Sequence, residues 1–243
     1  MAGASSSRPR VGTAGWAIPA PSRGDFPEQG SQLERYATRL DAAEINSSFH
    51  RPHRRTTYER WAASVPPGFR FAVKLPKTIT HERRLVEVDD LLGRFGEEVA
   101  GLGDKRGPLL VQLPPSLVFD EAVAAAFFAH AAGVLGGAFA CEPRHASWFT
   151  LEADNFLVAH RIARVAADPA RVPEAATPGG WRGLSYARWH GSPQMYRSDY
   201  DALALAGHAD VARAAPDEQW TIYDNTSAGF ALGNALTLAR LVE

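Results

Sequence analysis

The chain of 243 residues has a single cysteine, Cys141, so no disulfide can form within it. The apolar residues around Cys141 predict a buried strand, in which a cysteine acts as a small hydrophobic side chain rather than as a nucleophile. No apolar run approaches the roughly 20 residues that span a bilayer, and residues 1–10 lack the hydrophobic region of a secretion signal. We therefore expect a cytoplasmic protein with no membrane partner.

An excess of charge of one sign is also absent. The chain has 26 basic and 27 acidic residues and a net charge of -1, so no overall field attracts nucleic acid. Nucleic acid is an alternative partner that the composition does not favour. No glycine-rich phosphate-binding fingerprint follows a predicted strand, which argues against a nucleotide-binding open sheet.

Hydrophobic runs and helical patterns alternate along the chain, and 45% of its residues are hydrophobic. The predicted strands are 11–16, 42–49, 69–75, 109–115, one that begins at 138, 162–168, 184–191 and 220–225. The predicted helices are 33–40, 56–65, 88–102, 119–135, 148–160, 199–214 and 228–242. The sixth strand has no clear helix after it, because residues 169–183 contain three prolines and three glycines.

Alternating strands and helices imply a parallel sheet. Eight such units in one domain of this length fit a TIM (β/α)8 barrel better than an open doubly wound sheet. The sequence therefore predicts a single α/β barrel domain over residues 10–243 after a disordered lead-in at residues 1–9, with the helix after strand six irregular or missing.

Polar side chains recur at the carboxyl ends of the predicted strands. Glu142 and Arg144 are two residues apart and point the same way, and so are Arg188 and His190. The carboxyl ends of barrel strands meet at one face, where the active sites of this fold lie. The polar residues expected at this mouth are Glu44, Asn46, Lys74, Gln112, Glu142, Arg144, Asp168, Arg188, His190 and Asn225.

Ion pairing is one explanation of these charges. Glu142 with Arg144 or Arg188, and Glu44 with Lys74, would close the top of the barrel. However, apolar residues would close it without the cost of removing six charges from water. A functional cavity is therefore the better explanation.

The leading interpretation is an enzyme that binds a small anionic substrate. Lys74, Arg144 and Arg188 would hold a phosphate or carboxylate, because guanidinium groups match such anions. The acid/base candidates are Glu142, Asp168 and His190, with Glu44 as a further carboxylate. The remaining substrate contacts are assigned to Asn46, Gln112, Asn225, Trp16, Trp148 and Tyr196, with His81 at the entrance.

Three alternatives remain open. A divalent metal bound by Glu44, Glu142, Asp168 and His190 would make the chain a phosphoester hydrolase, but the neighbouring cations would repel the metal, so no metal ligand is assigned. A Schiff base on Lys74 is less favoured, because a lysine among carboxylates keeps a high pKa. The third alternative is a non-catalytic ligand-binding protein. The sequence does not indicate an oligomeric state.

Eight ordered motifs carry a family resemblance. They are Gly12–Trp16, Glu44–Phe49, Phe71–Lys74, Thr80–His81, Gln112–Pro115, Glu142–Trp148, Arg188–Gly191 and Tyr223–Asn225. The chain resembles the YecE-like family, domain of unknown function 72, and this resemblance implies a TIM-like barrel without implying a reaction. Two positions depart from the family pattern: residues 17–27 lack its second Trp and its Tyr-Pro pair, and Asp224 stands where an asparagine is expected.

Overall fold

Ten short strands form one continuous sheet in the computed structural model, which describes residues 8–214 and 218–243. Most of the predicted lead-in, residues 1–9, lies outside the described residues. The strands are β1 Arg10–Ala14, β2 Ala42–Ile45, β3 Arg70–Lys74, β4 Arg106–Gln112, β5 Phe139–Glu142, β6 Ile162–Arg164, β7 Ala166–Asp168, β8 Gly179–Gly180, β9 Leu184–Trp189 and β10 Glu218–Tyr223.

The sheet closes on itself through the predicted sixth strand. The order is β7-β9-β10-β1-β2-β3-β4-β5-β6-β8, and every pair is parallel except β6 with β8. The predicted sixth strand consists of β6 and β7, which are joined by Val165. Its first half, β6, pairs with β5, and its second half, β7, pairs with β9. The barrel therefore has eight parallel strands when β6 and β7 are counted as one, and the prediction of a single (β/α)8 barrel domain is confirmed.

Seven α-helices surround the barrel in the described ranges. They are α1 Gln32–Tyr36, α2 Arg55–Ala63, α3 Asp89–Val99, α4 Glu121–Leu135, α5 Leu151–Ala159, α6 Ala202–Arg213 and α7 Phe230–Leu241. Side chains of Asp120, Thr150 and Asp201 cap the first turns of α4, α5 and α6 by accepting backbone N–H groups. Within residues 8–214 and 218–243, each helix is too short or too polar to cross a bilayer.

The connection between β7 and β9 is irregular, as the sequence predicts. It consists of a 3-10 turn at Pro173–Ala176 and the two-residue strand β8. Proline lacks a backbone N–H donor and glycine costs conformational entropy in a helix, so this segment does not sustain helical hydrogen bonding.

Alternate residues of each strand face the barrel interior, which separates two cores. The inner core holds alanines on β2, β3, β5 and β6 opposite larger side chains on β9 and β10, where the Tyr186 and Trp220 rings stack at 6.2 Å between centroids. The outer core lies between the strands and the helices and includes Cys141, which is fully buried. Burial raises the pKa of the Cys141 thiol, as expected for a structural cysteine.

The second strand is shorter than predicted. It ends at Ile45, and Ser47–Phe49 form a 3-10 turn instead of a continuation of the strand. The Ser48 hydroxyl lies 2.9 Å from the carbonyl oxygen of Ile45 and 2.6 Å from that of Lys74. A serine that bonds nearby backbone in this way offers the chain an alternative to strand pairing.

Close packing of β1 against β2 requires a glycine at position 12. A Cβ atom there would lie 2.2 Å from the Ala42 carbonyl oxygen, so Gly12→Ala forces the two strands apart. We expect this change to lower the free energy of unfolding by about 2–3 kcal/mol in urea denaturation. Gly93→Ala is the control: nothing lies within 4 Å of its added carbon. An equal loss in both variants would contradict this explanation.

Candidate active site at the barrel mouth

Polar side chains face the barrel interior at the carboxyl ends of the strands, next to the apolar inner core. Strand alternation continues from Ala42 to Glu44, from Ala72 to Lys74, and likewise in the other strands that reach the mouth. The buried polar side chains at this level are Glu44, Lys74, Gln112, Glu142, Arg188, His190 and Asp224. They come from β2, β3, β4, β5, β9 and the residues that follow β9 and β10.

Arg188 is the centre of this group and is completely buried. Its Nε and one terminal nitrogen donate to the two oxygens of Glu44 at 3.0 and 2.8 Å. Its other terminal nitrogen donates to Glu142 at 2.6 Å, and the first one also donates to Asp224 at 2.9 Å. The Tyr186 hydroxyl donates to Glu44 at 2.8 Å. One guanidinium therefore links three carboxylates from different parts of the barrel.

Glu142 links Arg188 to the residues nearer the surface. One of its oxygens accepts hydrogen bonds from Arg144 at 2.9 and 3.1 Å and from the Gln112 amide at 3.0 Å. The same oxygen lies 3.2 Å from His190 Nε2, and His190 Nδ1 lies 3.0 Å from Asp224. The His190 ring is therefore held between two carboxylates. We call Glu44, Glu142, Arg188, His190 and Asp224 the Arg188 network.

The charges of the network shift the pKa values of Glu142, Asp224 and His190. Burial opposes ionisation of Glu142, but Arg188, His190 and Arg144 together hold its pKa well below the ordinary value. Arg188 and His190 similarly outweigh burial and lower the pKa of Asp224. Burial favours neutral His190, yet Glu142 and the hydrogen bond that Nδ1 donates to Asp224 raise its pKa above 6.5.

Lys74 differs from the other buried cations of the mouth. Its side chain is only 6% exposed, yet Nζ makes no ion pair or hydrogen bond with any described residue and lies 4.0 Å from the centre of the Phe49 ring. Burial, followed by the charge of Arg188, lowers its pKa to about 8 despite the attraction of Glu44, Glu142 and Asp224. The expectation of a high pKa for Lys74 is therefore wrong, because desolvation and a neighbouring cation outweigh the carboxylates.

Three further polar side chains lie between the network and solvent. The His81 ring meets the Phe49 ring edge-on at 5.0 Å, and the Tyr196 ring meets His190 in the same way at 5.6 Å. Burial and the charges of Lys74 and Arg144 lower the pKa of His81. Burial lowers the pKa of Arg144, but Glu142 and the Tyr196 hydroxyl raise it by more. We call Lys74, His81, Arg144 and Tyr196 the rim group.

Two of the predicted site residues face away from the mouth. Asp168 and Asn225 have the opposite register to the inward residues. The Asp168 carboxylate accepts the Tyr200 hydroxyl at 2.7 Å, and the Asn225 amide donates to the Ser198 carbonyl and to Asn234. Their assignment to the mouth is corrected, because both side chains lie on the helix side of the sheet.

Other predictions also change with the geometry. Trp148 is fully buried, and its indole N–H donates to the Leu117 carbonyl, so it cannot stack on a ligand at the mouth. Trp16 is half-buried and packs against Trp61 at 5.1 Å between ring centres. The side-chain oxygen of Asn46 is buried without a partner in the described residues, just after β2 ends.

The roles of Arg188 and Glu44 differ from the sequence prediction. Glu44 pairs with Arg188 instead of Lys74, and both of its oxygens are occupied. Arg188 is too deeply buried to reach an anion at the rim. The ion-pair explanation is thus correct for these two residues, whereas Lys74 and Arg144 lie nearer the surface.

Asp224 was not among the predicted site residues. Asp224 stands where the family resemblance leads us to expect an asparagine, and the prediction places Asn225 at the mouth instead. Counting two-residue steps from Trp220 and Ile222, both in the inner core, would have selected Asp224.

The donor set does not fit a divalent metal. Asp168 points away from the other proposed ligands, and Arg188 already lies within hydrogen-bond distance of Glu44 and Glu142. The described residues contain no group of three His, Cys, Asp or Glu side chains placed to hold a metal ion. A guanidinium, rather than a cation from solution, neutralises the carboxylates.

Two concavities lie near the mouth. One, of about 10 Å³, is lined by Glu142, Arg144 and His190 among others, and has room for about one water molecule. A larger cleft of about 150 Å³ lies outside the network, where the loops after β2 and β3 meet α3. Phe49 lines this cleft and also contacts Lys74.

The closed barrel and the buried charges at its carboxyl-terminal face define a single-domain TIM-barrel protein. The chain belongs to the family described as Protein of unknown function DUF72, whose model matches residues 10–243. This confirms the family resemblance. The chain is similar to UPF0759 protein YecE of Escherichia coli (strain K12), with 31% identity over 84 residues, or 35% of this chain and 31% of YecE. The match therefore covers under a third of that relative.

Solved structures agree with the fold. A DUF72 family protein from Thermotoga maritima MSB8 has a TM-score of 0.79 at 21% identity and covers 97% of this chain and 99% of that one. An AP endonuclease of family 2 from Brucella melitensis has a TM-score of 0.60 at 12% identity, with coverage of 95% and 98%. A sugar phosphate isomerase/epimerase from Parabacteroides distasonis has a TM-score of 0.57 at 11% identity, with coverage of 98% and 94%. At these identities the likeness shows the fold.

Removing the central cation should unfold the protein more readily. Arg188→Met leaves three buried carboxylates without their shared partner, so we expect a loss of about 3–5 kcal/mol in the free energy of unfolding by urea denaturation. Arg55→Met, which breaks the exposed ion pair with Glu59, is the control and should cost less than about 0.5 kcal/mol. Similar small losses in both variants would show that Arg188 does not hold the mouth together.

The raised pKa of His190 predicts a definite pH dependence. A raised pKa in the folded state means that protonated His190 stabilises the fold fully below 6.5 and that this contribution disappears as pH rises through the raised value. The difference in unfolding free energy between the wild-type chain and His190→Gln should therefore be larger at about pH 6 than at about pH 9. A difference that grows with pH would mean that His190 is buried in its neutral form.

Proposed function

We propose that this chain is an enzyme that binds a small anionic substrate, a phosphate or carboxylate, at the rim group. Lys74 and Arg144 contact the anion, while the Arg188 network fixes the positions of the groups beneath it. Lys74 ends β3 and Arg144 lies two residues after β5, at the face where TIM-barrel enzymes bind their substrates.

The observation that carries the proposal is the state of Lys74. A buried ammonium without an ion pair is unfavourable, and an anionic ligand would supply the missing partner. Arg144 adds a guanidinium that is partly exposed, with 15% of its side chain accessible. His81 and Tyr196 supply further hydrogen-bonding groups around the same opening.

His190 and Glu142 supply the proton-transfer groups. They line the small cavity with Arg144, so a single water molecule there would carry a proton between His190 and a substrate at the rim. Asp224 acts as the positioning residue, because its hydrogen bond to Nδ1 fixes the orientation of the His190 ring.

Inorganic phosphate tests the anion site directly. We expect phosphate to bind the wild-type chain in isothermal titration calorimetry, with an affinity that falls as pH rises through about 8, where Lys74 loses its charge. Lys74→Met should weaken binding at least about 10-fold, since it removes a charge-assisted contact worth about 1.5–3 kcal/mol. The same variant without phosphate should be more stable by about 2 kcal/mol at neutral pH, because a buried charge is removed.

Lys77→Met is the matched control. Lys77 is exposed near the same loop and pairs with Glu82 at 3.1 Å, so its loss should leave phosphate binding and stability almost unchanged. Phosphate binding that is unaffected by Lys74→Met would remove the proposal.

A non-catalytic ligand-binding protein is the second candidate. The narrowness of the opening beside His190, about 10 Å³, favours it, since a bound molecule could reach only the rim. For a binding protein, His190→Gln should leave phosphate affinity unchanged, and small molecules incubated with the chain should be recovered without chemical change by mass spectrometry.

A further inference from the structure

The chain contains three lysines, Lys74, Lys77 and Lys105, and their surroundings differ. Lys77 forms an ion pair with Glu82, and the Lys105 ammonium donates to the Pro66 carbonyl. Lys74 makes no ion pair or hydrogen bond with a described residue, and its nitrogen lies 4.0 Å from the centre of the Phe49 ring. It is also the lysine that lies at the carboxyl end of a barrel strand.

The position of Lys74 suits a nucleophile. Its nitrogen lies 4.0 Å from the centre of the Phe49 ring, and the residue ends β3 at the mouth of the barrel. A lysine becomes a good nucleophile when it is desolvated or lies near another cation, and both conditions hold here. Its pKa of about 8 gives Lys74 a larger fraction of free amine near neutral pH than a lysine with the ordinary value of 10.5 has.

The neighbours of Lys74 suit a carbonyl compound with an anionic group. Arg144 and His81 lie on the same rim, so an anion held by Arg144 would bring an adjoining carbonyl carbon towards Nζ. Phe49 also lines the larger cleft of about 150 Å³, but the lysine in the lining of that cleft is Lys77 and not Lys74.

We propose that Lys74 forms an imine with an aldehyde or ketone that carries a carboxylate or phosphate group, an inference that rests on the anion site of the proposed function. In this reaction the amine lone pair forms a bond to the carbonyl carbon, and the carbonyl π electrons move to oxygen. The nitrogen gives up its two protons, which leave with the oxygen as water. The imine nitrogen then takes up one proton from solvent, and the protonated imine withdraws electrons from a neighbouring C–H or C–C bond.

Reductive trapping tests this assignment. The wild-type chain is incubated with pyruvate or with dihydroxyacetone phosphate, reduced with cyanoborohydride and mapped by peptide mass spectrometry. We expect the adduct to form at Lys74 at least about 10-fold faster than at Lys77 or Lys105, as binding energy concentrates the carbonyl at one amine. Faster labelling by pyruvate would indicate a carboxylate substrate, and faster labelling by dihydroxyacetone phosphate would indicate a phosphate substrate. Inorganic phosphate should slow the labelling of Lys74.

The pH profile gives a second readout. Labelling at Lys74 should level off above about 8, whereas a lysine with the ordinary value of 10.5 continues to gain reactivity. Lys74→Arg is the key variant, because arginine keeps the positive charge but does not form an imine. It should lose the rapid adduct.

The outcomes separate this inference from the proposed function. Equal labelling of all three lysines, or no labelling, together with intact phosphate binding, overturns the imine and leaves the anion site. Rapid labelling of Lys74 that phosphate does not slow, in a chain that does not bind phosphate, overturns the anion site on which the inference rests. If Lys74 is not labelled and phosphate does not bind, both the imine and the anion site are overturned.

Discussion

The buried guanidinium of Arg188 is the interaction on which the mouth of the barrel depends. It comes from β9, and its carboxylate partners come from β2, from β5 and from the residue after β10. Such a cation is tolerated only because its donors are matched by hydrogen-bonded oxygens. The closed barrel brings these oxygens together, so closure of the sheet and formation of the network depend on each other.

This network fixes the positions of the side chains at the mouth of the barrel. Arg144 and His190 take their positions from Glu142, and Asp224 sets the orientation of His190. Groups held in this way need little rearrangement when charge changes at the site, which is the main advantage of a preorganised polar environment. Lys74 stands apart because no carboxylate among the described residues forms an ion pair with it, and its buried charge destabilises the folded chain.

The arrangement of charges also distinguishes this barrel from one built around a metal. Carboxylates at the carboxyl ends of barrel strands can bind a divalent ion when their oxygens are free. In this chain Arg188 occupies the oxygens of Glu44. One fold supports many chemistries, so the placement of these side chains carries more information about function than the barrel itself.

Much of this protein follows from its sequence. The alternation of apolar strands and helical segments predicts the eight strands of the barrel. The prolines and glycines of residues 169–183 predict that no regular helix follows the sixth strand. The polar ends of the strands located the mouth, because parallel strands share one orientation. The same reasoning found Glu142, Lys74 and His190, all of which lie there.

Only the tertiary structure decided which charges meet. A one-residue difference in register sends Asp168 and Asn225 to the helices and brings Asp224 inward, and short strands with poorly marked ends hide that difference in the sequence. The partner of Glu44 and the low pKa of Lys74 depend on distances across the barrel, between residues far apart in the chain. Sequence patterns report local periodicity, whereas pairing and desolvation arise when distant segments enclose a common space.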